Sequence, residues 1–449
     1  MRGTLHRPAL AVAIVLAMLV QIENGVAQVP AKPRRGVVHA AGRAFADEGG
    51  VFLARGASLF WALWGYQHDR ERLGRNLATL RGWDIDYVRV LGVVGAPGDN
   101  PADSWRDRRV DPSTPSYDQD VAAFTDWAYR DYGLRVQWTI FGGVDFAPTP
   151  QARRSLLERF ARMTRGREQE IFAIEVANEA WQNGFPGDAG RTELHALAKV
   201  LKSQTTNLVA LSAPQSSNCD GVRSLYAGSA ADLVTLHLPR ASITGGAIWN
   251  TFRDPWSFRD CSGVPALMSS NEPIGPESSV ASSDDPGVLA ALAAVTYGSG
   301  IGAFVLHTGP GVRGGGAADL ARARHSNLWE LPTGARIADG LNTLIRQLPA
   351  DLPNWEKHDL ASGTGADLFE ISPRDALSGM YCFSKTTAYA CVAFGIKQPV
   401  QLTSRGHVVS VTLSALISGT QPAEVRLQPG GSITIPATPA VRLITGNVQ

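Results

Sequence analysis

A (β/α)8 barrel carrying a C-terminal β-sandwich is the fold class the sequence predicts, on three observations. Eight short β-type runs recur between about residues 51 and 306. Segments with apolar residues at helical spacing separate them, and after Leu352 the pattern changes to β-rich runs punctuated by Gly, Pro and Ser. Alternating strands and helices imply a parallel sheet of β-α units, and a following series of short strands with turn signals implies a separate all-β layer.

The candidate strands are Val51–Leu59, Tyr87–Leu91, Leu134–Phe141, Ile171–Ala177, Asn207–Ala213, Asp232–Leu238, Pro265–Ser270 and Ile301–Leu306. Several lack strict alternation, as strands covered on both faces should. The covering helices show as Leu73, Leu77 and Leu80, as Leu156, Leu157, Phe160 and Met163, and as Leu194, Leu197 and Leu201. Further helices are expected around Gly287–Tyr297 and Ala335–Gln347, so eight units close within roughly 300 residues, an ordinary barrel length. An open doubly wound sheet is the competing fold, but Gly298, Gly300 and Gly302 precede a strand and not a helix, so they mark a turn and not a phosphate-binding fingerprint. The punctuation of Gly36–Gly50 predicts a hairpin that plugs the lower end of the barrel. Beyond it, Leu368–Ile371, Met380–Phe383, Tyr389–Ala393, Val408–Leu413 and Ser432–Ile435 are the expected sandwich strands.

A chain of 449 residues exceeds the usual size of one domain, which fits a barrel over residues 28–351 and a sandwich over 352–449. With 44% hydrophobic and 18% charged residues the composition is that of a globular protein, neither disordered nor membrane-embedded. The net charge of +1 is uninformative, but no basic stripe suggests a nucleic-acid partner. Arg2, His6 and Arg7 precede an apolar run from Ala9 to Val20, with small residues near Ala27. This is the layout of a secretory signal peptide, so residues 1–27 are set apart from the fold and the mature protein is expected to be secreted or periplasmic, with no membrane attachment once the signal is cleaved. Export permits disulfides. The four cysteines allow three connectivities, of which 219–261 with 382–391 is preferred, because Cys382 and Cys391 flank a segment of hairpin length; a zinc site is the alternative, without ligand-spaced motifs to support it.

In a β/α barrel the reactive groups sit where strands end. The fourth run ends in Asn178–Glu179 and the seventh in Glu272, 272 − 179 = 93 residues apart in sequence but on opposing strands of one mouth. Cleavage of a glycosidic bond needs such a pair, one carboxyl to protonate the leaving oxygen and one to attack the anomeric carbon or activate water. Glu179 could instead cap a helix, and Glu277 or Asp145 could replace Glu272 as the second carboxylate. Pro273 favours extended geometry at Glu272, as suits a strand end.

The run Ile174–Glu179 (Ile-Glu-Val-Ala-Asn-Glu) resembles the strand-four signature of glycoside hydrolase clan A, and family 5 in particular, where a Glu stands four residues before the catalytic one. The resemblance extends to Arg89 on the second strand and His237 after the sixth, and covers residues from about 36 to 345. It implies Glu179 as acid/base, Asn178 as its partner, Glu272 as nucleophile and a retaining, covalent mechanism acting on a poly- or oligosaccharide. That chemistry requires no cofactor or metal. Arg89 is expected to face both Glu272 and Glu175, the latter sharing strand parity with Glu179. Sugar rings stack on aromatic faces, so Phe60, Trp61, Trp64, Trp181, Trp249 and Trp256 are candidate subsite walls, Trp61 and Trp181 foremost. Two positions depart from the clan pattern. His307 stands near the end of strand eight, where many members have Trp, and Phe141–Val144 (Phe-Gly-Gly-Val) has no His. A carbohydrate-binding protein on the same barrel is the rival reading, and a serine hydrolase is disfavoured because no Gly-x-Ser-x-Gly elbow occurs.

Overall fold

The computed structural model describes residues 34–97, 108–238, 258, 261–278, 283–313, 324–359, 368–405, 408, 410–415, 423–428, 430–438 and 441–447. The expected signal segment and Trp249 and Trp256 lie outside them. Pro33–Gln449 forms one compact unit.

A three-stranded antiparallel sheet, β1 (His39–Ala41), β2 (Ala44–Asp47) and β3 (Gly50–Phe52), precedes the barrel. The barrel is a closed ring of eight parallel strands: β4 (Ala54–Ser58), β5 (Tyr87–Val93), β6 (Arg135–Phe141), β7 (Ile171–Ala177), β8 (Val209–Ala210), β9 (Leu233–Leu236), β10 (Leu267–Ser270) and β11 (Ala303–Leu306). The first expected strand is thus two. Val51 and Phe52 pair antiparallel with Ala46 and Phe45, and the barrel strand begins only at Ala54. A single β-type run does not reveal that the chain changes partners within it. The fifth strand is shorter than expected, two residues in place of seven.

The small sheet closes the N-terminal end of the barrel, as the punctuation predicts. Phe45 packs on Phe172 of β7 at 4.7 Å between ring centroids, and Phe172 stacks on Tyr87 at 3.7 Å. These rings join Phe52, Leu208, Leu233 and Leu267 in one buried cluster. With that end sealed, the opposite rim is where side chains at strand ends meet solvent.

The covering helices follow the apolar spacing: Leu73, Leu77 and Leu80 are buried on Arg70–Gly82, Leu156, Leu157 and Phe160 on Pro150–Thr164, and Leu194, Leu197 and Leu201 on Gly187–Lys202. The helix Pro286–Gly298 is different in kind, being buried along nearly its whole circumference. It lies between the barrel helix Gly334–Gln347 and the C-terminal strands, and Gly298 is bare because any side chain there would overlap the ring of Phe383.

Beyond Leu352 the chain forms two antiparallel sheets. The larger orders β12 (Glu356–Asp359), β14 (Gly379–Lys385), β15 (Ala388–Phe394), β20 (Arg442–Asn447), β17 (Val411–Ala415) and β18 (Ala423–Val425); the smaller orders β13 (Phe369–Ser372), β16 (Val400–Ser404) and β19 (Ser432–Ile435). Tyr381, Phe383, Val392 and Phe394 on one face of the larger sheet join the barrel's core, while Met380, Cys382, Cys391 and Ala393 face the smaller sheet. Period-two alternation therefore serves two cores at once. The disulfides are Cys219–Cys261 and Cys382–Cys391, the preferred pairing, and the second joins register partners of β14 and β15.

At the base of β7, Glu170 is buried beside Asp126. Burial, then the neighbouring Asp126, push its pKa up to about 7, from an ordinary 4.5. Asp126, held by Arg167 at 2.6 Å, moves below its usual range despite burial. Between these two pH values the folded chain holds a proton that the unfolded chain has released. The stabilisation is complete below 4.5 and is lost as pH rises through 7. Glu170→Gln is expected to flatten that decline and to stabilise the protein at pH 8 by on the order of 1 kcal/mol. Urea unfolding of both proteins at pH 5 and pH 8 checks this; an unchanged pH slope would remove Glu170 as its source.

Candidate active site

The strand register brings the polar interior together. Arg89 on β5 pairs in register with Gln137 on β6, and Thr139 on β6 with Glu175 on β7. Glu175 has no exposed surface, and four donor groups converge on its carboxylate. Arg89 Nη2 (2.9 Å), Arg89 Nε (3.2 Å) and Thr139 Oγ1 (2.6 Å) donate to Oε2, and Asn271 Nδ2 (3.1 Å) donates to Oε1. Gln137 Nε2 and Ser269 Oγ in turn donate to Asn271 Oδ1. Arg89 uses its remaining arms above this anchor, donating from Nη1 to Glu272 Oε1 at 2.9 Å and from Nη2 to Asn178 Oδ1 at 2.8 Å. Burial alone would lower the pKa of this guanidinium, but the charges of Glu175 and Glu272 hold it above the ordinary value. Arg89 is thus a fixed cation whose position is set from below and used above.

Glu179 and Glu272 occupy the rim. Glu179 stands two residues past β7 with φ of 39°, in the left-handed region where a side chain is strained. Several bonds hold it there. Ala180 N donates to Ser212 Oγ, Gln182 N to the Glu179 carbonyl, and Asn183 Nδ2 to the Asn178 carbonyl. Strain maintained by surrounding bonds is a known property of functional turns. Its carboxylate accepts from Gln182 Nε2 and meets His237 Nδ1 at 3.1 Å. It caps no helix, since the next one begins at Gly187 with Pro186 as its cap. Glu272, 5% exposed, follows β10; besides Arg89 it has His237 Nε2 at 3.3 Å and His307 Nε2 at 3.7 Å.

His237 therefore spans the two carboxylates, one ring nitrogen to each. One donor atom from each of Glu179, His237 and Glu272 lies within 4.8 Å of the other two. These are also the described residues best placed to gather a cation, although the Arg89 guanidinium already against Glu272 would repel one. His307, beyond β11, is oriented by Ser58 at 2.9 Å from Nδ1.

Glu277 turns elsewhere, to His325 Nδ1 at 2.6 Å and the His325 amide, and Asp145 is exposed on the loop after β6. Of the aromatic candidates, Trp181 is 38% exposed next to Glu179. Trp61 is only 2% exposed, with Nε1 bonded to the Pro310 carbonyl and Arg72 over its ring at 4.7 Å, so it braces the loop after β4. Phe60 is buried beneath Arg89 and 5.9 Å from the His307 ring. Trp64 stacks on His68. Sequence reasoning missed Thr139, Gln137, Asn271, Gln182 and Ser58. A signal for Asn271 was available: both rim glutamates are preceded by Asn, and both asparagines join the Arg89–Glu175 network.

No protein-family profile matches the chain, and no curated protein does. Solved structures match its fold. A glycoside hydrolase family 5 protein from Bacteroides vulgatus ATCC 8482 superposes with a TM-score of 0.65 at 13% identity, covering 92% of this chain and 93% of that one. A second structure, described as a glycoside hydrolase, gives 0.62 at 12% identity over 93% and 97%. At such identity the likeness is one of fold.

Proposed function

We propose that the protein is an exported, retaining glycoside hydrolase acting on a poly- or oligosaccharide, with Glu272 as nucleophile and Glu179 as acid/base. The observation that carries the proposal is the convergence of these two carboxylates, 93 residues apart in sequence, to within 4.8 Å oxygen to oxygen across one barrel rim. Retaining enzymes hold their carboxyl groups about 5–5.5 Å apart so that one can attack directly, whereas inverting enzymes leave about 6.5–9.5 Å for a water. The spacing here favours direct attack.

The charges are arranged unequally, as that chemistry needs. A guanidinium sits 2.9 Å from Glu272, favouring a carboxylate that attacks the anomeric carbon. Glu179, held by an imidazole and an amide, delivers a proton to the departing glycosidic oxygen. It then takes one from the water that releases the sugar from Glu272. His237, bonded to Glu179 through Nδ1 and with Nε2 3.3 Å from Glu272, stands between the two as charge moves. Asn178, His237 and His307 stand around the reacting ring's position, Arg89 acts from beneath through Glu272 and Asn178, Trp181 stands exposed beside the acid/base, and Trp61 acts through the loop it braces. Support for export comes from the two disulfides, and among the described residues no helix is long and apolar enough to cross a membrane.

Proton NMR of hydrolysis, over a panel of β-linked gluco-, manno-, xylo- and galacto-oligosaccharides, tests the mechanism. The first-formed product is expected to have the anomeric configuration of the bond cleaved. Initial release of the opposite anomer would assign inversion and remove Glu272 as nucleophile.

A further inference from the structure

Glu277 turns away from the reaction centre and has both carboxylate oxygens engaged by one residue. Oε1 lies 2.6 Å from His325 Nδ1, and Oε2 accepts from the His325 backbone amide at 3.1 Å. The pair is largely sheltered, with side-chain exposures of 16% and 28%. It joins two rim loops. Glu277 stands 277 − 272 = 5 residues beyond Glu272 on the loop after β10, and His325 belongs to the connection after β11. Resting on the hydrolase reading, we infer that Glu277 is a positioning residue for that reaction: its grip on His325 holds the loop after β10 against the turn after β11, and so keeps Glu272 at attacking distance.

Three observations lead there. The first is backbone strain. Glu277 has φ of 56°, and among the described non-glycine residues with positive φ only Glu179 shares the rim with it. The other two, Asp84 and Thr386, lie in the turn before β5 and in the β14–β15 hairpin. A costly conformation persists where the surroundings enforce it, and on a loop carrying a reactive group it points to a role in function. The second is contact. The Pro276 carbonyl accepts from Gly309 N at 2.9 Å, and Gly275 packs so closely on His307 that a Cβ would stand 1.9 Å from the His307 carbonyl oxygen. Three successive residues, Gly275, Pro276 and Glu277, thus bind this loop to the chain after β11. Pro273 and Pro276 leave the segment little torsional freedom to absorb a slip, so a shift at Glu277 is passed back to Glu272. The third is the anchorage of His325. Ser326 N and Asn327 N donate to Glu330 Oε2, Asn327 Oδ1 accepts from Arg72 Nε at 2.6 Å, and Leu328 N donates to Asn76 Oδ1 at 2.9 Å. Arg72 and Asn76 lie on the barrel helix Arg70–Gly82, so the far end of the clamp is fixed to a rigid element. Arg89 sets the Glu272 carboxylate from beneath, and the clamp sets the backbone that carries it. Placement matters at this scale, since a misplacement of about 1 Å can cost about 100-fold in rate.

The test reads attack and stability separately. The rate of the first turnover at saturating nitrophenyl glycoside, of whichever saccharide the wild type cleaves, reports attack by Glu272 apart from substrate binding. Nitrophenolate departs without a proton, so the acid does not enter. Glu277→Ala loses both contacts and is expected to lower this rate about tenfold or more, with the half-saturating concentration changed less than about twofold. His325→Ala spares the amide contact and the strained turn, and should lose about threefold or more. Glu277→Gln keeps an acceptor for the amide and should recover most of the rate, and the double variant should be no slower than Glu277→Ala. Hydrogen exchange of the peptide spanning residues 272–278 should quicken in Glu277→Ala. A lower urea midpoint with an unchanged first turnover would show a brace for the fold alone. A slower turnover without faster exchange would show that Glu277 does not act through the loop; either result overturns the inference. A wild type that hydrolyses no glycoside, with faster exchange in Glu277→Ala, would discard the hydrolase and keep the clamp on Glu272. Full hydrolysis by Glu277→Ala would do the reverse, and neither turnover nor altered exchange would discard both.

Discussion

Glu272→Gln is expected to reduce kcat by about 10⁴-fold or more on any glycoside the wild type cleaves, while the protein remains folded. The amide keeps the size of the side chain and can still accept from Arg89 Nη1, which now donates at 2.9 Å. What it loses is the charge that attacks carbon, and removal of a covalent nucleophile is among the costliest changes an enzyme can suffer. Glu179→Gln should behave differently. Loss of an acid costs roughly 10²–10⁴-fold when the leaving oxygen needs a proton, and much less when it is a nitrophenolate that departs without one. The assignment of roles thus rests on a comparison of rates with good and poor leaving groups. Equal losses in kcat/KM, which ends at formation of the glycosyl-enzyme, for Glu179→Gln on both would contradict its role as acid, and near-normal turnover by Glu272→Gln would end its candidacy as nucleophile.

The second large effect is expected at Arg89. Arg89→Leu leaves Glu175, fully buried, without the cation that makes two of its four hydrogen bonds. Breaking a buried ion pair from one side costs about 3–5 kcal/mol, most of it the penalty of a stranded charge. Arg89→Leu is therefore expected to be among the least stable single variants, as well as inactive. Combining it with Glu175→Leu removes the stranded charge, so stability should return in large part while activity should not, because Glu272 still lacks its partner. Denaturant unfolding and turnover of the two single variants and the double variant form the cycle that checks this. Recovery of activity in the double variant would show that Arg89 serves the fold alone.

Much of this arrangement was legible in the sequence. Strand-end carboxylates on the fourth and seventh β-type runs located Glu179 and Glu272, since the closed ring of strands sets where a strand's end must lie. Arg89 was legible for a related reason: a charge within an apolar strand has to find a countercharge inside the ring, and Glu175 shares the parity of Glu179. The residues that complete the network were not. Thr139 and Gln137 are neutral, occur in an ordinary β run, and acquire meaning only through the register of β5, β6 and β7. Gln182 and Ser58 act through turns whose conformation no periodicity encodes. Trp61 shows the opposite failure. Its position after β4 suggested a sugar platform, but residue type does not say whether an indole faces outward, and here Arg72 and Pro310 cover it. Among the elements, β12, β16, β18 and β20 went unpredicted because their short runs mix polar and apolar residues, and pairing with neighbours defines them.

The helix Pro286–Gly298 has a consequence for how such a chain can be inherited. A cylinder apolar on every side cannot border water, so the barrel and the C-terminal sheets cannot be parted without exposing it. A gene fragment ending near codon 351 would encode a product that exposes this helix just ahead of the strand leading to His307, and that product should aggregate on expression. Recombination that exchanges one half for that of a distant cousin must therefore carry the matching bare glycine and its aromatic counterpart together, or yield nothing soluble.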